Sequence, residues 1–299
     1  MICVVTGGAG FIGSHIVDEL IKRGHSVRVI DNESSEVHEQ FYHNDKAVYY
    51  KEDIADYEKT KCIYGDADIV FHLAAESRIQ PTLINPLLAF RTNITGTAVV
   101  LQASREMGVK KVIVSSTSSS YGLKNKPPLR EDMPDDCLNP YSVSKVSGEK
   151  MCKIYSSLYG LKTVVLRYFN VYGDREPTRG QYAPVVGLFL KQHKNGEPLT
   201  IVPDGSQRRD FTHISDVVSA NMLAMEVEHH NYGEFFNIGT GRNHSVLELA
   251  HMISDKTVMV EPRHGEAYIT LADNTKAKTV LGWEPKYRIE DYINEKLRG

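Results

Sequence analysis

The sequence predicts an α/β fold, a doubly wound and mostly parallel sheet carrying a smaller α/β unit. Three observations lead there. Apolar runs alternate with stretches of helical periodicity up to residue 170, the order that builds strand, crossover helix and parallel strand. Those runs are apolar along their length, as strands covered on both faces are. The first of them, Val4-Val5, enters Thr6-Gly7-Gly8-Ala9-Gly10-Phe11-Ile12-Gly13, and residues 12 to 23 leave with helical periodicity. Gly7 suits a tight turn, Gly10 admits a pyrophosphate close to the backbone, and Gly13 lets the helix lie against the sheet. The free N–H groups of the first helical turn face the phosphates. With Asp31 ending the next β-like run, Val27-Arg28-Val29-Ile30, the segment reads as a Rossmann-type dinucleotide site.

At 299 residues and 33.6 kDa the chain has room for one large domain with a smaller one appended. A net charge of -3 and a pI near 6.5 supply no basic field for nucleic acid or anionic membrane. Cys3, Cys62, Cys137 and Cys152 are scattered without ligand-like spacing, so a reduced compartment and no structural metal are expected. The first strand begins at Ile2, leaving no room for a signal peptide, and no apolar run reaches membrane-spanning length. A soluble cytoplasmic protein is the expectation.

After Asp31, the polar stretch Asn32 to Lys46, with His38 and His43, reads as a solvated loop or short helix. Ala47 to Tyr50 is a strand running into Glu52-Asp53-Ile54, where Asp53 suits a helix cap or an acceptor for an adenine amino group. Asp68 to Leu73 is a buried strand in which His72 is a packed residue, and Ala74-Ala75 at its exit is small, as the edge facing a ligand requires. A long helix from Pro86 to Gly108 is interrupted by Asn93, Gly96 and Thr97, a polar stripe suited to cofactor contact. Lys111 to Ser116 is a strand feeding the hydroxyl run Thr117 to Ser120, and the loop up to Pro140 belongs to the active site. A second long helix, Tyr141 to Tyr159, precedes the strand Thr163 to Arg167. Beyond Gly173 the elements shorten: a helix from Pro184 to Lys194, a strand from Leu199 to Val202, a helix ending near Met225, a strand from Glu234 to Gly239, and helices at Val246 to Ile253 and Asn274 to Leu281. This division gives a dinucleotide domain of residues 1–170 plus 211–241 and a substrate-binding domain of residues 171–210 plus 242–299. The pocket is expected at the carboxyl ends of the strands.

Tyr141 and Lys145 lie one helical turn apart on one face. Beside an ammonium and an oxidised nicotinamide, a phenol that ordinarily titrates near pH 10 becomes a plausible base at neutral pH. Lys145 can also hold the nicotinamide ribose while Thr117 hydrogen-bonds the alcohol being oxidised.

Taken together, several ordered motifs resemble the extended short-chain dehydrogenase/reductases, in their nucleotide-sugar epimerase and dehydratase family, over essentially the whole chain. They are Thr6 to Gly13, Asp31-Asn32, Asp53-Ile54, His72-Leu73-Ala74-Ala75, Asn93-Ile94-Thr95-Gly96-Thr97, Tyr141-Ser142-Val143-Ser144-Lys145, Leu166 to Gly173, and Arg209-Asp210-Phe211-Thr212-His213. The resemblance implies Tyr141 as base, Thr117 as hydroxyl partner and Lys145 as orienting cation. It implies NAD held by Gly7, Gly10, Phe11, Ile12, Gly13, Asp31, Asn32, Asp53, Ile54, Leu73, Ala74, Ala75, Asn93, Ser115, Tyr141, Lys145 and Tyr168, with Asp31 on the adenosine ribose favouring NAD over NADP. For the substrate, a UDP-sugar or other nucleotide sugar, it implies Asn170, Arg209 and Arg263 at the diphosphate, two guanidinium forks suiting that target, and Glu76, Thr117, Tyr141 and Thr270 near the sugar. No metal is implied. Dimers of the family pair the two long helices, here around Pro86 to Glu106 and Tyr141 to Tyr159, so a homodimer is expected.

Within the family, 4,6-dehydratases carry an Asp-Glu pair after the catalytic threonine, where this chain has Ser118 and Ser119. The expectation is therefore 4-epimerisation, which needs only the tyrosine, its hydroxyl partner and retained NAD. Thr270, five residues beyond Gly265 of Arg263-His264-Gly265-Glu266, stands where a bulky tyrosine restricts family 4-epimerases to glucose and galactose. A small residue there leaves space for an N-acetyl group, so UDP-N-acetylglucosamine is the expected substrate, with UDP-glucose also accepted. Glu76 keeps open a 5,6-dehydration of a UDP-N-acetylhexosamine, and epimerisation of another nucleotide sugar stays open too. A non-catalytic nucleotide-sugar sensor or scaffold is the reading from a different class.

Overall fold

The computed structural model describes residues 1–180, 182–230 and 232–298. Its centre is a seven-stranded parallel sheet made of β1 (Ile2–Thr6), β2 (Ser26–Ile30), β3 (Val48–Tyr50), β4 (Ile69–His72), β5 (Lys111–Thr117), β6 (Lys162–Tyr168) and β7 (Phe235–Ile238), in the order β7-β6-β5-β4-β1-β2-β3. The sheet winds outward in both directions from β1 and β4, so their carboxyl ends flank the topological switch point where a ligand crevice forms. Val114 of β5 lies opposite His72 on one side and Val165 on the other, a register that brings Ser115, Ser116 and Thr117 to the rim.

Both sheet faces are covered. Helices α1 (Phe11–Lys22) and, much later in the chain, α6 (Ile214–Glu226) pack on one side, burying Ile16, Val17, Leu20, Val217 and Met222 with Trp283. The other side is covered by α2 (Pro86–Phe90), α3 (Gly96–Glu106) and α4 (Pro140–Tyr159), which bury Val100, Leu101 and Cys152. A third apolar cluster makes the smaller α/β unit. It gathers Phe189 of α5 (Val185–Lys194), Leu249 of α7 (Val246–Ile253), Ile293 of α8 (Ile289–Arg298) and the short strand Leu199–Ile201.

The structure differs from the sequence reading at a few places. The long helix from Pro86 is broken by a π turn, Arg91–Thr95, because Asn93 and Thr97 turn inward and Gly96 passes so close to Ile54 that a side-chain carbon would stand 2.6 Å from its Cδ1. The stretch 32–46 is loop throughout. Asp53 caps no helix: Asp56 does, accepting from the Lys59 N–H at 3.3 Å, while Asp53 accepts from the Ala55 N–H and pairs with Arg91. Helix α8 adds to the elements expected from the sequence, with Ile289, Ile293 and Leu297 recurring at helical spacing. Among the described residues the four cysteines are free, no helix is long and apolar enough to cross a membrane, and no cluster of His, Cys, Asp and Glu is arranged to hold a metal.

Candidate active site

The turn between β1 and α1 is built by close approach. Gly7 has φ +70°, and a side-chain carbon on Gly13 would stand 2.1 Å from the Gly7 carbonyl oxygen, so only glycine lets the helix begin so near the strand. Helix α1 starts after Gly10 with no side-chain cap, leaving its first N–H groups for a ligand. Beside it opens a cavity of about 540 Å³ lined by Gly7, Gly10, Phe11, Ile12 and Gly13. Its walls also carry Asp31, Asn32, Asp53 and Ile54 at one end, Leu73, Ala74, Ala75 and Glu76 along the middle, and Ser115, Tyr141, Lys145 and Tyr168 at the other. The Asp31 carboxylate accepts from the N–H groups of Ala9 at 3.0 Å and Glu33 at 2.8 Å. Burial pushes its pKa up, and those two donors partly offset the rise.

Asn93 was expected to touch the cofactor, but it is 2% exposed and does not line this cavity. Its amide accepts from the Glu76 N–H at 2.8 Å and donates to the Glu76 carbonyl at 3.0 Å and to Ser144 Oγ at 2.8 Å. It therefore braces the loop after β4 against α4. His72 is packed, as the sequence suggested. Thr97 Oγ1 donates to the Asn93 carbonyl at 2.6 Å, so it accepts from His72 Nε2 at 2.9 Å, and Nδ1 then accepts from Thr6 Oγ1 at 2.7 Å. Burial, and after it the Lys145 charge, pushes this imidazole down to about 3, so it stays neutral.

Helix α4 is started by a reciprocal cap: Asn139 accepts from the Ser142 N–H at 2.8 Å and Ser142 Oγ accepts from the Asn139 N–H. That start fixes Tyr141 in the first turn and Lys145 one turn on, both facing the end of β5. Burial raises the Tyr141 pKa, and the Thr117 hydroxyl and then the Arg78 charge offset part of the rise. Lys145 is directed to Ser115 Oγ at 3.5 Å, and Arg78 lines the cavity wall together with Tyr141. Burial pushes the Lys145 ammonium down to about 8, with Glu149 opposing the fall.

Behind this pair lies a buried polar layer that sequence reasoning missed. Glu149 Oε1 accepts from Ser116 Oγ at 2.6 Å and from Arg167 Nε at 2.7 Å, and Arg167 Nη2 also donates to Asp135 at 2.9 Å. A signal existed, since Glu149 continues the i, i+4 face of Tyr141 and Lys145.

A second cavity of about 370 Å³ meets the first at Tyr141, Tyr168, Ser116 and Arg78 and is lined by Thr117, Asn170, Arg209, Arg263 and Thr270. Asn170 donates to the Asp210 carbonyl at 2.9 Å and to Thr270 Oγ1 at 3.2 Å. Arg209 donates to the Tyr268 carbonyl at 3.1 Å and reaches Glu266 at 3.4 Å, and the Arg263 guanidinium stands 5.6 Å from the centre of the Tyr182 ring. Glu76 lines the first cavity and not the second. A phenol, a hydroxyl and two arginines thus face one cleft, which adjoins the cavity of the glycine turn. That arrangement fits proton transfer at an alcohol beside a bound dinucleotide.

The chain matches the model of the NAD dependent epimerase/dehydratase family over residues 3–239. It is similar to the structure of UDP-glucose 4-epimerase with UDP-glucose from Thermotoga maritima, with a TM-score of 0.93 and 39% identity over 100% of this chain and 99% of that one. The structure of UDP-N-acetylglucosamine 4-epimerase from Methanobrevibacter ruminantium is similar at a TM-score of 0.89 and 35% identity, covering 99% of this chain and 95% of the other. UDP-glucose 4-epimerase of Mycolicibacterium smegmatis is 36% identical over 97% of this chain and 95% of its own length.

Proposed function

This chain belongs to the NAD dependent epimerase/dehydratase family, and on that premise we propose that it is an NAD-dependent nucleotide-sugar 4-epimerase whose substrate is UDP-N-acetylglucosamine, with UDP-glucose also accepted. The observation that carries this reading is the meeting of the two cavities at Tyr141, one turn from Lys145 and beside Thr117. NAD, when bound, supplies an acceptor and donor of hydride for the sugar C4. Tyr141 Oη takes the proton of the C4 hydroxyl and later returns one, while Thr117 Oγ1 holds that hydroxyl in line. Lys145, one turn on along the same helix face, would orient the cofactor ribose. Arg209 and Arg263 hold the diphosphate, so a 4-keto sugar can turn its other face without leaving the cleft.

The choice of sugar is supported by Thr270, whose short side chain is 5% exposed and lies against Asn170, where a longer residue would fill the space beside an N-acetyl group. The relatives' names divide among glucose, N-acetylglucosamine and glucuronate. The reading further includes tightly retained NAD, the two-part domain division given above, a cytoplasmic setting and a homodimer. Leu87, at 77% exposed, and Leu158, at 71%, lie on α2 and α4 and support pairing through those helices. Light scattering at several concentrations distinguishes dimer from monomer.

The test is incubation of purified protein with UDP-N-acetylglucosamine and separation of products. Formation of UDP-N-acetylgalactosamine is expected, and its absence in both directions overturns the substrate assignment. A product lighter by one water would favour the elimination that needs a carboxylate such as Glu76. Binding of NAD and sugar nucleotide without turnover would favour a sensor.

A further inference from the structure

Arg78 has no counterion among the described residues. Its Nε is sealed from solvent without a hydrogen-bond partner, and its side chain lines both cavities. Three groups feel its charge: Tyr141 at the reacting end, Glu176 in the wall of the second cavity, and His38 in the loop after β2. Glu176 does not neutralise it. That residue is 9% exposed with both carboxyl oxygens hidden and unpaired, and burial pushes its pKa up to about 8. His38 and Arg78 both line the dinucleotide cavity. His38 Nε2 lies 3.5 Å from the point where a side-chain carbon on Gly10 would stand, over the open N-terminus of α1. Burial, and then Arg78, pushes His38 down to about 4, so it brings no positive charge to that turn.

Arg78 is half-buried, with only its Nε sealed, and a guanidinium placed so without an anion gains from a ligand that brings one. The described lining of the dinucleotide cavity has two cationic side chains, Arg78 and Lys145, and Lys145 is directed to Ser115. The second cavity already holds Arg209 and Arg263. We propose that Arg78 binds the diphosphate of the dinucleotide, closing over it opposite the N-terminus of α1 and keeping the cofactor resident between turnovers. This inference rests on the dinucleotide reading of the first cavity.

The test compares wild type, Arg78→Gln and Arg78→Lys for NAD remaining after dialysis, released by heat and quantified by chromatography, and for NAD and UDP affinity by titration calorimetry. Wild type is expected to keep its NAD. Arg78→Gln is expected to bind NAD about 10- to 100-fold more weakly, the size of a lost charge-assisted hydrogen bond. Arg78→Lys, which keeps the charge but not the fork, should fall between them, with UDP affinity unchanged in both. The NAD-free Arg78→Gln protein should melt no lower than NAD-free wild type, because it has lost a charge that has no counterion among the described residues. NAD retention by Arg78→Gln equal to wild type overturns the proposal. So does weakened UDP binding with NAD unaffected, which assigns Arg78 to the diphosphate of the sugar nucleotide. A wild-type protein that binds no NAD overturns the underlying dinucleotide reading, and the wild-type arm alone reports it.

Discussion

Arg167 grips both carboxylate oxygens of Glu149, Nε to Oε1 at 2.7 Å and Nη2 to Oε2 at 2.5 Å, in the buried layer behind Tyr141 and Lys145. The guanidinium lies 3.6 Å from the Phe235 ring centre and 4.7 Å from that of Tyr121. Removing one partner leaves an uncompensated buried charge. Arg167→Met should therefore lower unfolding free energy by about 3–5 kcal/mol in urea titration, and a loss near zero would show that the pair is dispensable.

Glu149 also opposes the fall in the Lys145 pKa. In Glu149→Gln the ammonium should titrate below its present value of about 8, so the alkaline limb of kcat should move to lower pH with little change in KM. An unmoved limb would separate Lys145 from Glu149.

Tyr141→Phe removes the proposed proton acceptor with little change in volume. Turnover should fall by orders of magnitude while NAD affinity is kept. Near-normal turnover would show that the base is misassigned.

Thr270 is tested by enlargement. Thr270→Tyr should reduce kcat/KM for UDP-N-acetylglucosamine at least tenfold more than for UDP-glucose, an effect of steric exclusion on the order of 1.4 kcal/mol. Equal losses on the two substrates would remove Thr270 from sugar selection.

Glu176 makes stability depend on pH. Its folded pKa is about 8, above the ordinary glutamate value of about 4.3, so the folded state holds the proton more tightly than the unfolded chain does. The stability this gives is complete below the unfolded value and is lost as pH rises toward 8. Glu176→Gln should melt with a flatter pH dependence, its advantage over wild type growing from pH 5 to pH 8. Parallel melting curves would contradict the buried, protonated carboxyl.

Much of the site was legible because its residues are set by local rules. The glycine turn follows from close approach of one helix to one strand, and the Tyr141 to Lys145 spacing is one helical turn, so neighbours in sequence become neighbours in space. The surroundings of Asn93 were not legible, for the opposite reason. Its polarity on an apolar helix is visible in sequence, but whether it faces a cavity or a neighbouring helix depends on the π turn at Arg91–Thr95 and on Ser144, far along the chain.

By itself, then, the sequence determined the parallel α/β core, the dinucleotide turn and the phenol and ammonium placed one turn apart, since periodicity and backbone sterics act over a few residues. Only the tertiary structure decided which groups surround Tyr141, that Glu149 and Arg167 close a charged layer behind the site, and that Arg78 lines both cavities without a counterion among the described residues. Charge interactions and burial are sums over groups distant in the chain, and no spacing along it records them.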